Sequence, residues 1–343
     1  MFKNKTFYIL CPRKSATGGP ELLHQLCFHL KNDFNISALM CYYPFSSESG
    51  MHDAYSNYKN LETTKIIDVD SNYIISPEVF PSMQYLSNFK KINKIIWFLS
   101  VDNYYISRFG FLDLQKFSIA NRIANFFKIK KNYSFLNNQI VSKINMSDDK
   151  ILKNSRMILS QSRYAQDFLK KQGYDSMIVS DYIHDTFYNV TSGNGKKNIV
   201  AYNYSKGKEF TNKVISMSKD IEFIAINNMS RAEVVEILKI SKVYIDFGNH
   251  PGKDRIPREA ALLDCCIITN KRGSSLFYDD VSIDSEFQFE DEDSNIPLIS
   301  GKIKECFYNY ENKIKQFSFY KNKIKQEKSI FIEQIKNFLN CVM

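Results

Sequence analysis

Apolar runs rich in β-branched and aromatic residues recur along the chain, and amphipathic segments with a helical period separate them. The runs that we predict as strands cover residues 6–11, 36–41, 65–69, 92–100, 176–180, 198–203, 221–226, 243–247 and 265–269. Alternation of strands and helices is typical of α/β domains with a parallel sheet. A chain of 343 residues is long enough for two such domains.

The domain boundary is predicted from composition. Residues 192–197 are rich in Gly, Ser and Lys, which is typical of a linker. We therefore predict a first domain over residues 1–190, a second domain over residues 191–315 and a C-terminal helical segment over residues 316–343, within a helical run that extends from 302 to 339.

The stretch 243–277 combines a strand, a polar loop, a helix from about Pro257, a second strand and a second polar loop. Its charged residues therefore follow the carboxyl ends of strands, where ligands of α/β sheets bind. The cations of these loops are Lys253, Arg255, Arg258, Lys271 and Arg272. Together with the positive end of a helix, they favour a phosphate.

Glu259 lies one turn into that helix, where a carboxylate can accept hydrogen bonds from two adjacent ribose hydroxyls. A basic loop with one such carboxylate indicates a nucleoside diphosphate carrying a sugar. The alternative is a solvated rim of charges with internal ion pairs, such as Asp254 with Arg258.

Two further loops have glycines between a strand and a helix. Lys206 and Gly207 follow the strand 198–203, in a pattern typical of a phosphate site. Gly18 and Gly19 follow the first strand and permit close approach of a ligand, although a plain turn explains them equally well. The latter loop does not match the dinucleotide-binding pattern G-x-G-x-x-G.

Candidate catalytic and metal-binding residues are few. Asp102 follows the strand 92–100 and is placed to act as a general base, or else to cap the next helix. His24 and His29 point about 140° apart on one helix, so we interpret both as structural. Asp68 and Asp70, and the acidic run 290–293, are weak metal motifs, and no metal site is predicted.

The net charge of +9 favours anionic partners such as nucleotides or acidic lipid surfaces. No nucleic-acid recognition module is visible, so nucleic acid is not predicted as a partner. The basic amphipathic segment 111–135 is either a core helix with a solvated face or a peripheral contact with an anionic membrane.

The N-terminal apolar run is too short for a signal peptide, and no run approaches the ~20 apolar residues of a membrane span. The seven cysteines form no CxxC pair, which predicts free thiols. We expect a cytoplasmic protein, with the inner face of the membrane as a peripheral location.

The segment HPGKDRIPREAALLDCCIITNKRGS resembles the nucleotide-sugar loop of GT-B glycosyltransferases, in particular of the family-4-like members. This resemblance implies an α/β fold of two Rossmann-like, doubly wound domains that face each other across a cleft, with the C-terminal helix crossing back towards the first domain. Those enzymes usually carry a second Glu eight residues before the Glu of the helix. Here that position is Pro251, preceded by His250.

By this resemblance, Glu259 binds the donor ribose, Lys206 contacts the diphosphate and Gly18 and Gly19 face the donor phosphates. Ser274 occupies the Gly-Ser loop of the motif. Asp102 and His250 are the catalytic candidates, and the alternative for His250 is that it caps the loop. The cations Lys253, Arg255 and Arg258 complete the predicted donor-binding set.

The implied activity is a metal-independent transfer of a sugar from a nucleotide-sugar donor to a glycan or lipid-linked acceptor, in bacterial surface polysaccharide synthesis. No tightly bound cofactor is expected. Two alternatives stay open: a GT-B-like enzyme of another reaction, such as a sugar-nucleotide epimerase or other group transferase, and a non-catalytic nucleotide-sugar or glycan-binding module.

Overall fold

The computed structural model describes residues 5–114, 144–188, 190 and 195–342. The chain divides into two compact units, one of Met1–Asp181 with Phe331–Met343 and the other of Tyr182–Ile330. The divisions thus fall after Asp181 and Ile330, whereas the sequence places them after residues 190 and 315.

The first unit contains a six-stranded sheet in the order β2-β1-β3-β4-β5-β6, in which every pair is parallel. Its strands are β1 (Thr6–Pro12), β2 (Ser37–Tyr43), β3 (Tyr73–Pro77), β4 (Asn93–Phe98), β5 (Met157–Ser160) and β6 (Met177–Ile178). Continuous apolar runs suit this arrangement, because parallel sheets are covered on both faces. In β4, the side chains from Ile95 to Phe98 are fully buried.

The second unit contains a five-stranded parallel sheet in the order β11-β10-β9-β7-β8. Its strands are β7 (Lys197–Asn203), β8 (Glu222–Ile226), β9 (Ser241–Asp246), β10 (Cys266–Asn270) and β11 (Gln288–Phe289). Because β7 and β9 are neighbours and β10 follows β9, the loops after these three strands open at one edge of the sheet.

Helices connect the strands and cover the sheets. In chain order they are α1 (Gly18–Asn32), α2 (Phe80–Tyr85), α3 (Val101–Leu114), α4 (Lys150–Lys153), α5 (Arg163–Lys171), α6 (Lys208–Met217), α7 (Arg231–Ile240), α8 (Arg255–Leu262), α9 (Ile296–Tyr308), α10 (Tyr310–Lys313), α11 (Ser318–Lys325) and α12 (Glu327–Val342). Among the described residues, no helix combines the length and apolar character that a membrane span requires.

One predicted strand is wrong. Residues 65–69 form no strand, and the strand that follows β2 in the chain is instead β3, whose five residues are all buried. The Asp68 carboxylate accepts hydrogen bonds from the backbone N–H groups of Lys90, Lys91 and Ile92 at 2.8–2.9 Å. Asp68 therefore closes a loop in this structure.

The predicted helical run over residues 302–339 is confirmed, and it consists of the separate segments α9 to α12 with a 3-10 turn at Ile314–Phe317. Residues 115–135 of the predicted basic helix lie outside the described residues, as do residues 192–194 of the predicted linker.

The two histidines of α1 have separate partners. His24 is buried, with Nε2 3.2 Å from the Tyr42 hydroxyl and its ring stacked on Tyr55. Burial lowers the pKa of His24 to about 4, despite the opposing charge of Glu21. His29 pairs with Asp33. Both contacts fit the structural interpretation.

Candidate functional site

Three loops at the carboxyl edge of the second sheet are in close backbone contact. A Cβ on Gly207 would lie 2.1 Å from the Phe247 carbonyl oxygen, and a Cβ on Gly273 would lie 2.1 Å from the His250 carbonyl oxygen. Both glycines also have a left-handed backbone, with φ of 59° and 51°. Only glycine meets both conditions, so the loops after β7, β9 and β10 form one tightly packed assembly.

Lys206 lies in the first of these loops and keeps 36% of its side chain exposed. Its stem passes over Gly248, where a Cβ would lie 2.8 Å from the Lys206 Cβ. Its ammonium donates to Asp254 Oδ1 at 2.5 Å. The predicted diphosphate-binding lysine therefore lies at the edge of the sheet and reaches the N-terminal end of α8.

Asp254 and His250 continue this contact inward. His250 Nδ1 lies 3.0 Å from Asp254 Oδ2, and His250 Nε2 lies 3.2 Å from the Asp246 carbonyl oxygen. The His250 side chain is 1% exposed, and both of its ring nitrogens are bonded within the loop. In this structure His250 therefore holds the loop, and its catalytic role stays a prediction.

The charges of His250 and Asp254 shift each other's pKa. Burial opposes ionisation of both groups. The carboxylates of Asp246 and Asp254 outweigh burial at His250 and raise its pKa. The cations of Lys206 and His250 likewise outweigh burial at Asp254 and hold its pKa well below its usual range.

Asp246 is the last residue of β9 and is buried. Its carboxylate accepts from the Tyr244 hydroxyl at 2.8 Å and from the Gly248 N–H at 3.0 Å. These bonds fix the start of the β9–α8 loop, from which His250 and Asp254 project.

Arg255 and Glu259 lie on the first turns of α8, which begins at Arg255, two residues before the predicted start. Arg255 Nε is 3.6 Å from Glu259 Oε1, and the two side chains are 15% and 10% exposed. The carboxylate predicted to bind ribose thus lies close to the first turn of the helix, beside a cation.

Arg258 and Lys253 both bind Glu327, the first residue of α12. Arg258 is fully buried and donates to Glu327 Oε2 at 2.8 Å, to the Lys253 carbonyl at 2.9 Å and, through Nε, to the Asp254 carbonyl at 3.1 Å. Lys253 Nζ is 2.6 Å from Glu327 Oε1. The proposed ion pair of Arg258 with the Asp254 carboxylate is therefore wrong, because that carboxylate faces Lys206 and His250.

Ser274 joins two of the loops. Its hydroxyl donates to the Gly252 carbonyl at 2.7 Å, and its N–H donates to the His250 carbonyl at 2.8 Å. The side chain is buried. In this structure Ser274 braces the loops, and a contact with the donor stays a prediction.

The candidate residues of the first unit lie at the carboxyl ends of its strands. Gly18 and Gly19 are the first two residues of α1, and Leu99 Cδ1 lies at an ordinary 3.5 Å from a Cβ built on Gly19. Asp102 is the second residue of α3, where a carboxylate complements the helix dipole. Both the base role and the helix-terminus role of Asp102 fit this position.

Glu78 was not found from the sequence. It follows β3 and is 1% exposed, and its Oε2 accepts from the Leu99 N–H at 2.9 Å. Burial raises its pKa to about 7, although hydrogen bonds from Leu99 and neighbouring groups oppose the rise. Glu327 was missed for the same reason: a lone Glu in a charged segment has no sequence pattern that marks it as buried.

No protein-family model matches the chain, and neither does any curated protein. Solved structures resemble it over nearly its whole length. Sucrose-phosphate synthase from Thermosynechococcus elongatus has a TM-score of 0.61 at 11% identity, with 99% of each chain covered. HepE from Anabaena, in complex with UDP-glucose, has a TM-score of 0.60 at 10% identity, with 98% of this chain and 99% of that chain covered.

An α-glucosyltransferase in complex with UDP and DNA has a TM-score of 0.52 at 10% identity, with 98% of this chain and 99% of that chain covered. These neighbours are GT-B glycosyltransferases, and the likeness at this identity is one of fold. The α/β prediction is confirmed: the chain has the two-domain GT-B fold, built on parallel sheets of six and five strands.

Proposed function

We propose that this protein is a glycosyltransferase that takes a sugar from a nucleotide-sugar donor. The observation that carries the proposal is the loop assembly of the second unit. It places a partly exposed lysine, Lys206, beside the N-terminal end of α8, whose first turns carry Arg255 and Glu259. A cation and a helix N-terminus suit a diphosphate, and the nearby carboxylate suits the ribose.

In the proposed reaction an acceptor hydroxyl oxygen forms a bond to the anomeric carbon, and the bond from that carbon to the diphosphate oxygen breaks. Lys206, Arg255 and the amides of the α8 N-terminus neutralise the charge that develops on the leaving diphosphate. Glu259 orients the ribose. Asp102 is the candidate base for the acceptor proton. Lys253 and Arg258, which bind Glu327, shape the loop.

Several finer features belong to the same proposal. Uridine is the first nucleoside to test, because HepE was crystallised with UDP-glucose and with UDP. The acceptor is a glycan or lipid-linked glycan of a bacterial surface polysaccharide, and the basic chain works in the cytoplasm or in peripheral contact with an anionic membrane. No metal is required in this scheme, because Lys206, Arg255 and the helix amides supply the positive charge.

The donor site is tested by thermal unfolding of the purified protein with UDP, GDP, CDP, CMP and ADP and their sugars. A ligand that binds only the folded state at 100 times its Kd stabilises it by about 2.7 kcal/mol. We expect one nucleotide to raise the Tm of the wild type, and the rise to be lost in Lys206→Met and Glu259→Gln.

The matched control is Lys208→Met. Lys208 follows Lys206 by two residues, is exposed and contacts Tyr204 instead of Asp254. A Tm rise with no nucleotide, or an equal loss in Lys206→Met and Lys208→Met, would contradict the donor site. Product analysis with the bound nucleotide-sugar then separates transfer from epimerisation, and binding without any product would favour a non-catalytic binding module.

A further inference from the structure

We propose that His250 and Asp254 form a charged positioning pair that holds the Lys206 ammonium where it meets the donor diphosphate. The proposal rests on the proposed function for the identity of the ligand. Its structural basis is the chain of contacts from Asp246 through His250 and Asp254 to Lys206, in which the side-chain exposure rises from 1% at His250 to 16% at Asp254 and 36% at Lys206.

The contacts of His250 favour a proton on both of its ring nitrogens. Nδ1 faces the Asp254 carboxylate at 3.0 Å and Nε2 faces the Asp246 carbonyl oxygen at 3.2 Å, and both of these groups are acceptors. A neutral imidazole has a single N–H, so it would leave one lone pair facing an oxygen. The doubly protonated ring satisfies both contacts.

The charges of this cluster balance. Asp246 and Asp254 contribute two negative charges, and His250 and Lys206 contribute two positive charges. His250 Nε2 lies 4.0 Å from Asp246 Oδ1. A further carboxylate near His250, that of Asp291 beyond β11, is paired with its own cation, Arg272, at 3.1 Å. A buried charge is costly without a partner, so loss of one member destabilises the placement of the others.

The position of Lys206 is set at two points. Its stem is confined by Gly248, where a Cβ would lie 3.2 Å from the Lys206 Cδ, and its ammonium is bound to Asp254. Asp254 Oδ2 is in turn held by His250. Without this pair, a lysine with four rotatable bonds would sample many positions, and binding a diphosphate would cost more side-chain entropy.

The backbone conformation of His250 allows a substitution that removes only the charge of the ring. Its φ is 46°, in the left-handed region, which Asn adopts more readily than most residues. The amide nitrogen of Asn also lies close to the position of Nδ1. His250→Asn therefore keeps the loop conformation and one donor to Asp254, while it removes the positive charge.

A metal is the competing explanation for the same residues. The ligand atoms of Asp246, His250 and Asp254 lie within 4.8 Å of one another. Both Asp254 oxygens and both His250 nitrogens are, however, engaged with Lys206, with each other or with the backbone. An ion would have to displace the Lys206 ammonium from Asp254.

The first measurement is the ¹⁵N NMR spectrum of histidine-labelled protein. We expect His250 to give the signature of an imidazolium at pH 7.5, and Asp254→Asn to convert the ring to the neutral form. A neutral ring in the wild type would overturn the pair. A shift of the His250 signals on addition of Zn²⁺ or Mn²⁺, reversed by EDTA, would overturn it in favour of a metal site. This measurement needs no nucleotide.

The second measurement is the Kd of UDP by calorimetry. At pH 7.5 we expect His250→Asn and Asp254→Asn to raise the Kd by about tenfold, a change of about 1.4 kcal/mol. The matched control is Asp293→Asn, which removes an exposed carboxylate paired with Lys213 at 2.9 Å in the same unit. Values within twofold of the wild type for both site variants would overturn the proposal.

The pH profile separates positioning from a general loss of stability. As the pH rises above the ordinary pKa of histidine and through the raised pKa of His250, the ring loses its charge and the wild type should bind UDP more weakly. His250→Asn should lack this step, while it shares any titration of UDP itself. If UDP does not bind the wild type, the same titrations are made with the nucleoside diphosphate that raises the Tm. If none binds, the proposed function and the diphosphate role both fail, whereas the NMR result still decides whether the charged pair exists.

Discussion

Burial decides what each cation of the loop assembly does. Lys206 and Arg258 have the same sign of charge and lie at the same edge of the sheet. Lys206 keeps 36% of its side chain exposed, whereas Arg258 is fully enclosed and bound to Glu327. A buried guanidinium with a carboxylate partner is costly to disturb. This difference in burial is why the proposed function gives ligand contact to Lys206 and loop shape to Arg258.

Glu78 predicts a pH dependence of stability. Burial raises its pKa from the ordinary 4.5 to about 7, so between these values the folded protein holds a proton that the unfolded chain has released. The free energy of unfolding should therefore fall as pH rises through this window, by on the order of 3 kcal/mol in full.

Glu78→Gln should remove this fall, because the amide does not ionise and its oxygen still accepts from the Leu99 N–H. Urea unfolding between pH 5 and pH 8 measures it. The exposed Glu236→Gln is the control, with a pH profile like that of the wild type. Parallel profiles for wild type and Glu78→Gln would contradict the raised pKa.

Gly19 tests the glycine loop of the first unit. A methyl group there would meet only Leu99 Cδ1 at 3.5 Å, an ordinary contact. Gly19→Ala should therefore keep the wild-type Tm, since Ala favours a helix over Gly by up to about 1 kcal/mol. If donor phosphates approach this backbone, transfer activity should fall by tenfold or more.

The control for this change is Gly301→Ala in α9, where a Cβ meets nothing within 4 Å. It should leave both Tm and activity unchanged. Full activity of Gly19→Ala would show that no ligand comes close to Gly19, and a large fall in its Tm would mean that the activity loss reports folding instead.

Among elements, the loops after β9 and β10 depend on each other through Ser274. Ser274→Ala removes the buried hydrogen bond to the Gly252 carbonyl and leaves that oxygen without this donor. The expected cost is about 1–3 kcal/mol in the free energy of unfolding, measured by urea titration. Ser329→Ala, which removes an exposed hydroxyl in α12, should change it by less than about 0.5 kcal/mol. Equal losses of unfolding free energy in the two variants would contradict a stabilising role of the Ser274 hydrogen bond.

At the scale of the whole molecule, the burial of the cysteines predicts the accessibility of their thiols. Six cysteines are buried and Cys341 is exposed. Burial also raises the pKa of Cys11, Cys27 and Cys41 above the ordinary value, which leaves little reactive thiolate.

A thiol reagent such as Ellman's reagent should therefore titrate one cysteine rapidly in the folded protein and seven after denaturation. Cys341→Ser should abolish the rapid phase. Rapid reaction of two or more thiols would show that a region with buried cysteines opens readily. A reducing agent should leave the Tm unchanged, because the thiols are free.

Sequence patterns predicted most of the fold. The α/β class was confirmed, and the Ser-x-x-Glu pattern of Ser230 and Glu233 forms a capping box at the start of α7. The error at residues 65–69 arose because an apolar run also occurs in a loop that packs against a sheet. The fully buried strand Tyr73–Pro77 is short and ends in proline, so its pattern is weak.

The local sequence pattern was sufficient to predict the parallel sheets, the glycine-containing loops and the sheet edge that carries the charged residues. The reason is that strand and helix periods and loop composition are properties of neighbouring residues. The partner of each charge was decided by tertiary structure alone. Lys206 meets Asp254 across 48 positions and Arg258 meets Glu327 across 69. Contacts at such separations, and the burial that they create, exist only after the strands have assembled, so no local pattern separates the partly exposed cation from the buried one.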